Sequence, residues 1–186
     1  MLGLIPLLLP ALAGAVLVFI VSSVIHMVTK WHANDFSTLP SEDALLSALR
    51  PFNLPPGVYA APRPKDMKNM ASPEYKAKSA QGPVVMMTVM PNGQTGMGQQ
   101  LVLWFLYSFF VALFSGYVTS RAVGIGADRM VVFKFTVCVA FAGYALALWQ
   151  MSIWYRRPWM LTIKSTIDGV VYGILTAIPF ALLWPR

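Results

Sequence analysis

The chain has 186 residues, of which 57% are hydrophobic and 11% charged, and a formal net charge of +7. Soluble domains carry about a quarter charged residues, so this composition excludes a chain folded wholly in water and leaves too little polar sequence for a large soluble catalytic domain. The basic residues are scattered through loops instead of forming an aromatic-interleaved stripe, which argues against nucleic acid and for anionic lipid headgroups as their counterpart.

The first apolar run predicts a transmembrane helix over residues 2–28. No basic stretch precedes it and it continues past Ala11-Leu12-Ala13, so it is expected to be a retained span and not a signal peptide. Residues 31–98 form the only polar territory of any size. Ser41-Glu42-Asp43 after Pro40 reads as a helix start that continues through Leu45, Leu46 and Leu49 and stops at Arg50-Pro51. Residues 57–60 and 84–89 read as strands, and 73–78 as a second short helix. The expected product is a small extramembrane α+β cap with too little apolar core to stand alone.

Three more apolar runs predict spans over 101–123, 130–153 and 159–184. Aromatic residues (Trp104, Tyr117, Trp149, Trp154, Tyr155, Trp159 and Trp184) and arginines lie near their ends, as at membrane interfaces. Short connections favour a compact antiparallel bundle. The fold class is therefore an all-α integral membrane protein: four transmembrane helices with an α+β cap between the first and second. Lys30, Arg50, Arg63, Lys65, Lys68, Lys76, Lys78, Arg156 and Arg157 fall on the cap side, against Arg121, Arg129, Lys134 and Arg186 opposite, which favours a cytoplasmic cap.

The fourth span superposes two patterns of period four. Ser165, Gly169, Gly173 and Ala177 form a ridge of small residues that lets another helix approach closely, and Ala112, Gly116 and Ser120 repeat it in the second span, its expected partner. Beside the ridge, Lys164, Asp168, Tyr172 and Thr176 form a polar ladder. The i,i+4 spacing puts the Lys164 amine within reach of the Asp168 carboxylate, and ionisable groups inside a membrane mark candidate ion or proton pathways. Pairing with a neighbour and snorkelling of Lys164 explain the same residues without transport.

His26 and His32 are six residues apart, about 120° on one helix, so they can share a metal only if the chain breaks between them. Asp35, Glu42, Asp43, His26 and His32 can meet near the membrane face, although no spacing among them requires chemistry. Met86, Met87 and Met90 are soft ligands suited to Cu(I), or gap-fillers in a strand. Cys138, in an apolar run, reads as a small buried hydrophobe. No soluble-enzyme motif is present, no metal or cofactor is called for, and the chain is expected to be non-enzymatic.

The stretch Trp31-His32-Ala33-Asn34-Asp35-Phe36 with Leu39-Pro40 and Glu42-Asp43, together with 145–150 and 152–155, resembles a group of bacterial four-span inner-membrane proteins without an established function. The resemblance implies a multi-pass protein of a bacterial plasma membrane and supplies no catalytic residues. On the residues themselves, the leading expectation is an accessory or structural subunit that packs against other membrane proteins, or against itself, through the small-residue ridges. A small transporter or channel using the polar ladder is the alternative, and Cu(I) handling a third.

Overall fold

The computed structural model describes residues 3–64, 66–93 and 96–186. The first residue of the expected 2–28 span, Lys65 of the basic count and the side chain of Met67 lie outside the described residues. Two compact units result: residues 1–37 with 97–186, and residues 38–96.

The larger unit is built from four apolar helical stretches, each long enough to cross a membrane: Ile5–Val28, Gly98–Ala122, Arg129–Tyr155 and Trp159–Leu183. The protein is accordingly a multi-pass membrane protein whose outer faces suit lipid; Phe110, Leu103 and Ile163 are examples of large apolar side chains turned outward. The first stretch is α1, Ile5–Ser23, whose last turn widens into a π-turn over Val24–Val28. The second is α4, Gly98–Ala122. The third is α5, Arg129–Ala145, joined to α6, Trp149–Tyr155, by a 3-10 turn over Leu146–Leu148. The fourth is α7, Trp159–Leu183.

In this unit α7 packs along α5 and α1, α1 along α4, and α4 along α5, so α4 and α7 lie on a diagonal. The expectation that the second span is the main partner of the fourth is therefore corrected. The close approach of α7 is to α5: a Cβ on Gly169 would lie 2.7 Å from the Ala145 Cβ, and one on Gly173 would lie 3.3 Å from the Val137 carbonyl oxygen. Gly116 serves the diagonal instead. Phe180, fully buried, reaches across so closely that a Gly116 Cβ would sit 2.2 Å from its ring. The ring fills the centre of an apolar cluster with Leu7, Ala11, Ala112, Val132 and Trp184.

That cluster belongs to the far end of the bundle, where α4 turns into α5. Asp128 caps α5, its Oδ1 accepting from the Met130 and Val131 amides at 2.8 and 3.3 Å. Trp184 Nε1 donates to the Gly124 carbonyl at 3.1 Å, and the Gly126 amide donates to the Pro185 carbonyl at 2.9 Å. Trp184 is thus buried, and Trp104 is half-buried between helices, so these two rings depart from the expected interfacial belt. Each has an indole N–H that finds a partner inside the bundle, which favours burial. Cys138 departs the other way: it is exposed on the bundle surface, where a small apolar thiol suits lipid as well as a core.

The smaller unit contains α2, Glu42–Leu49, the antiparallel strands β1, Gly57–Ala61, and β2, Val85–Val89, and α3, Pro73–Gln81. Ser72 caps α3 by accepting from the Tyr75 amide at 3.2 Å. Tyr59 pairs with Met87 across the ladder. None of its described residues is buried, as expected for a segment with too little apolar sequence for a core.

Candidate functional site

The end of the bundle opposite the Asp128 turn gathers most of its ionisable side chains. The π-turn at Val24–Val28 ends α1, Thr29 is extended, and the next residues coil through two tight turns in which the Ala33 amide donates to the Lys30 carbonyl and the Asp35 amide to that of His32. This is the break that a shared histidine site requires. It folds His32 back over His26, the two rings stacking 4.3 Å apart at an interplanar angle of 10°. π-turns inside α-helices occur frequently at functional sites.

His32 then lies between two carboxylates. Its Nδ1 is 2.6 Å from Asp35 Oδ2 and its Nε2 is 2.8 Å from Asp168 Oδ2. Lys164 closes the chain from the other side, donating to Asp35 Oδ1 at 2.7 Å and to the Trp31 carbonyl at 2.7 Å. The Trp31 indole N–H donates to Asp168 Oδ1 at 3.2 Å. Lys164 and Asp168, expected to neutralise each other one turn apart on the fourth span, are thus bound to different partners, both supplied by the segment after α1. The Lys164 hydrogen bond, followed by that from His32, holds the Asp35 carboxyl below the usual carboxylate range, against a smaller opposing effect of burial.

The charges do not balance with a neutral imidazole. Two carboxylates face one ammonium, which leaves one negative charge uncompensated in a cluster whose side chains are 16% exposed or less. A neutral imidazole also has one N–H, whereas both His32 nitrogens point at carboxylate oxygens. The geometry therefore holds a place for one further positive charge: a second proton on the ring or a bound cation.

Below this network lies a cavity of about 550 Å³, lined among others by His26, Trp104, Tyr107, Tyr144, Asp168 and Tyr172. Trp104 packs against all three tyrosines, with ring centroids 5.6 to 6.2 Å apart, and donates from its indole to Ser22 Oγ at 2.8 Å. The Tyr172 hydroxyl is buried with no hydrogen-bond partner among the described residues. The polar ladder of α7 thus runs from the ionic cluster at Lys164 and Asp168, past the cavity wall at Tyr172, to Thr176 in the interior. Further buried hydroxyls continue toward the far end, at Ser108 and Ser115 of α4 and in the Thr119–Thr136 hydrogen bond, 3.1 Å, between α4 and α5.

The other sequence candidates fall elsewhere. Ala112, Gly116, Ser120, Gly169, Gly173 and Ala177 face neighbouring helices of the same chain, while Ser165 lines the cavity. Met86 and Met87 are successive residues of β2, so their thioethers leave opposite faces of the strand, and Met90 is exposed beyond its end. Glu42 and Asp43 belong to α2 of the smaller unit and are exposed. No family model matches the chain, and neither a curated protein nor a solved structure matches it significantly.

Proposed function

We propose that this protein is a small membrane transporter or channel that admits a cation at the end of the bundle carrying His32 and Asp168. The observation that supports this reading is the placement of His32 between Asp35 and Asp168, with Lys164 as the single counter-charge among the described residues, beside an aromatic-lined cavity that Asp168 also lines. Ionisable groups are costly in a bilayer and are by default candidates for an ion path, and buried hydroxyls extend this one toward the opposite face. The accessory-subunit reading loses its main support, since the small-residue ridges that suggested it are occupied by the chain's own helices. The resemblance to bacterial inner-membrane proteins favours a bacterial plasma membrane, and the basic residues favour a cytoplasmic position for the 38–96 segment.

The test is flux through the purified full chain in anionic phospholipid vesicles, with trapped indicators for H⁺, K⁺ and Zn²⁺. At least one ion should cross faster than in protein-free vesicles, and Asp168→Asn should abolish most of that difference. Equal flux with and without protein, or an Asp168→Asn variant as active as the parent, overturns the proposal. A second protein that leaves native membranes with the chain in fixed stoichiometry, combined with no flux alone, restores the accessory reading.

A further inference from the structure

The cation-handling reading leaves the ion open, and on that reading we infer that it is a divalent first-row transition metal of the Zn²⁺ class, bound by His26, His32 and Asp168. One ligand atom from each of these residues lies within 4.8 Å of the others. Two imidazoles with one carboxylate suit Zn²⁺ and its neighbours, whereas Mg²⁺ and Ca²⁺ take oxygen ligands.

The hydrogen bonds around the two histidines carry the inference further than proximity does. A carbonyl oxygen only accepts, so the 3.0 Å contact from His26 Nδ1 to the Ser22 carbonyl puts the ring proton on Nδ1 and leaves Nε2 as a lone pair. The carboxylates on both sides of His32 only accept, with Asp35 Oδ2 2.6 Å from Nδ1 and Asp168 Oδ2 2.8 Å from Nε2. With Nδ1 donating to Asp35, the contact between Nε2 and Asp168 calls for a positive charge between the two atoms, and a metal ion there takes the place of a proton. An imidazole anchored through one nitrogen by a carbonyl or carboxylate, with the other free, is the arrangement that metal-binding histidines show. Lys164 in turn fixes Asp35, and the Trp31 indole fixes the second oxygen of Asp168, so Oδ2 is the one left to the ion.

The adjustment required is small. Ligands about 2.0–2.2 Å from a tetrahedral Zn²⁺ lie roughly 3.3 Å from one another, so His32 and Asp168 separate by about half an ångström and His26 moves inward by up to about 1.5 Å. His26 is exposed and sits in the π-turn, where the helix is already irregular. Three protein ligands leave a fourth position open, as in sites that exchange a ligand and unlike closed structural sites. His26 and Asp168 both line the cavity, so that position is reached from it.

The experiment is calorimetric titration of the tag-free full chain in detergent with Zn²⁺, supported by visible absorption with Co²⁺. One equivalent should bind, and His26→Ala, His32→Gln and Asp168→Asn should each weaken binding by at least about 10–100-fold. Asp35→Asn, which removes the charge that anchors His32 and pairs with Lys164, should also weaken it by about 10–100-fold. Because His26 is exposed, His26→Ala keeps its elution profile and helical circular dichroism, so its result is decisive even if a buried variant fails to fold. Absence of saturable one-to-one binding, or parental affinity in folded His26→Ala, overturns the metal site. Zinc binding without flux keeps the site and removes the transport reading, while H⁺ or K⁺ flux without zinc binding keeps transport and removes the site.

Discussion

The two ends of the bundle are built on opposite principles. At the far end, Leu7, Val132 and Phe180 are 1% exposed or less, Gly116 is open to the Phe180 ring at a distance no side chain would allow, and backbone groups near the α4–α5 turn are hydrogen-bonded to the C-terminal residues. At the other end the helices are irregular: α1 closes in a π-turn, α5 and α6 meet through a 3-10 turn, and a cavity opens there whose wall includes Asp168, which also belongs to the ionic cluster of Lys164, Asp35 and His32. Lipid provides no hydrophobic force between helices, so close van der Waals packing must hold the bundle together somewhere. At the other end close packing is kept to the α5–α7 seam, where Gly169 closes on Ala145, and the rest of that end carries a cavity and charge.

Variants that damage each end separately sharpen this contrast. The largest expected effect is at the packed end: Phe180→Ala removes the ring that fills the central cluster and should cost roughly 3–5 kcal/mol, read as a lower unfolding midpoint in detergent. Gly169→Leu follows, at about 1–3 kcal/mol, because the new side chain meets Ala145 on α5. It should destabilise the isolated chain, and release of a partner protein from an otherwise stable chain would instead show that this face serves an intermolecular contact. Lys164→Met should leave the unfolding midpoint less affected than either of these, while lowering flux and zinc affinity, since Asp35 loses the partner that fixes it toward His32. A variant with parental flux and affinity would remove Lys164 from the site.

Two smaller effects set the baseline. Asp128→Ala removes the cap of α5 and should cost about 1 kcal/mol, with zinc affinity unchanged because the cap lies at the opposite end. Glu74→Gln breaks the exposed Glu74–Lys78 pair, 2.8 Å, in the smaller unit and should leave the unfolding midpoint where it was. A measurable loss there would show that α3 is held by more than its Ser72 cap.

Four apolar runs, their short connections and the α2, β1, α3 and β2 elements between the first two were legible as patterns, since hydropathy over 20 residues and Pro or Gly boundaries are local properties. Lys164 and Asp168 were equally legible, because an ionisable pair in an apolar run stands out against its neighbours. Their partners were not. His32 and Asp35 are 136 and 129 residues away in sequence from the side chains they bind on α7, and the spacing of His26 and His32 excludes a shared site for as long as the helix is continued through them. The signal available was the polar Trp31-His32-x-x-Asp35 stretch directly after a span, which offers an indole donor, an imidazole and a carboxylate at the membrane boundary.

By itself, then, the sequence determined the solvent, the number of helical spans and which α7 residues were anomalous in an apolar setting, because each of these depends on residue character within one turn or one span. Only the tertiary structure decided which helix faces which, with α7 closing on α5 through Gly169 and Gly173. It also decided that the charges of α7 are met by the residues after α1. The reason is geometric: the ring of four helices brings the end of α1 beside the start of α7, and the π-turn redirects the chain there, neither of which is encoded in any local period.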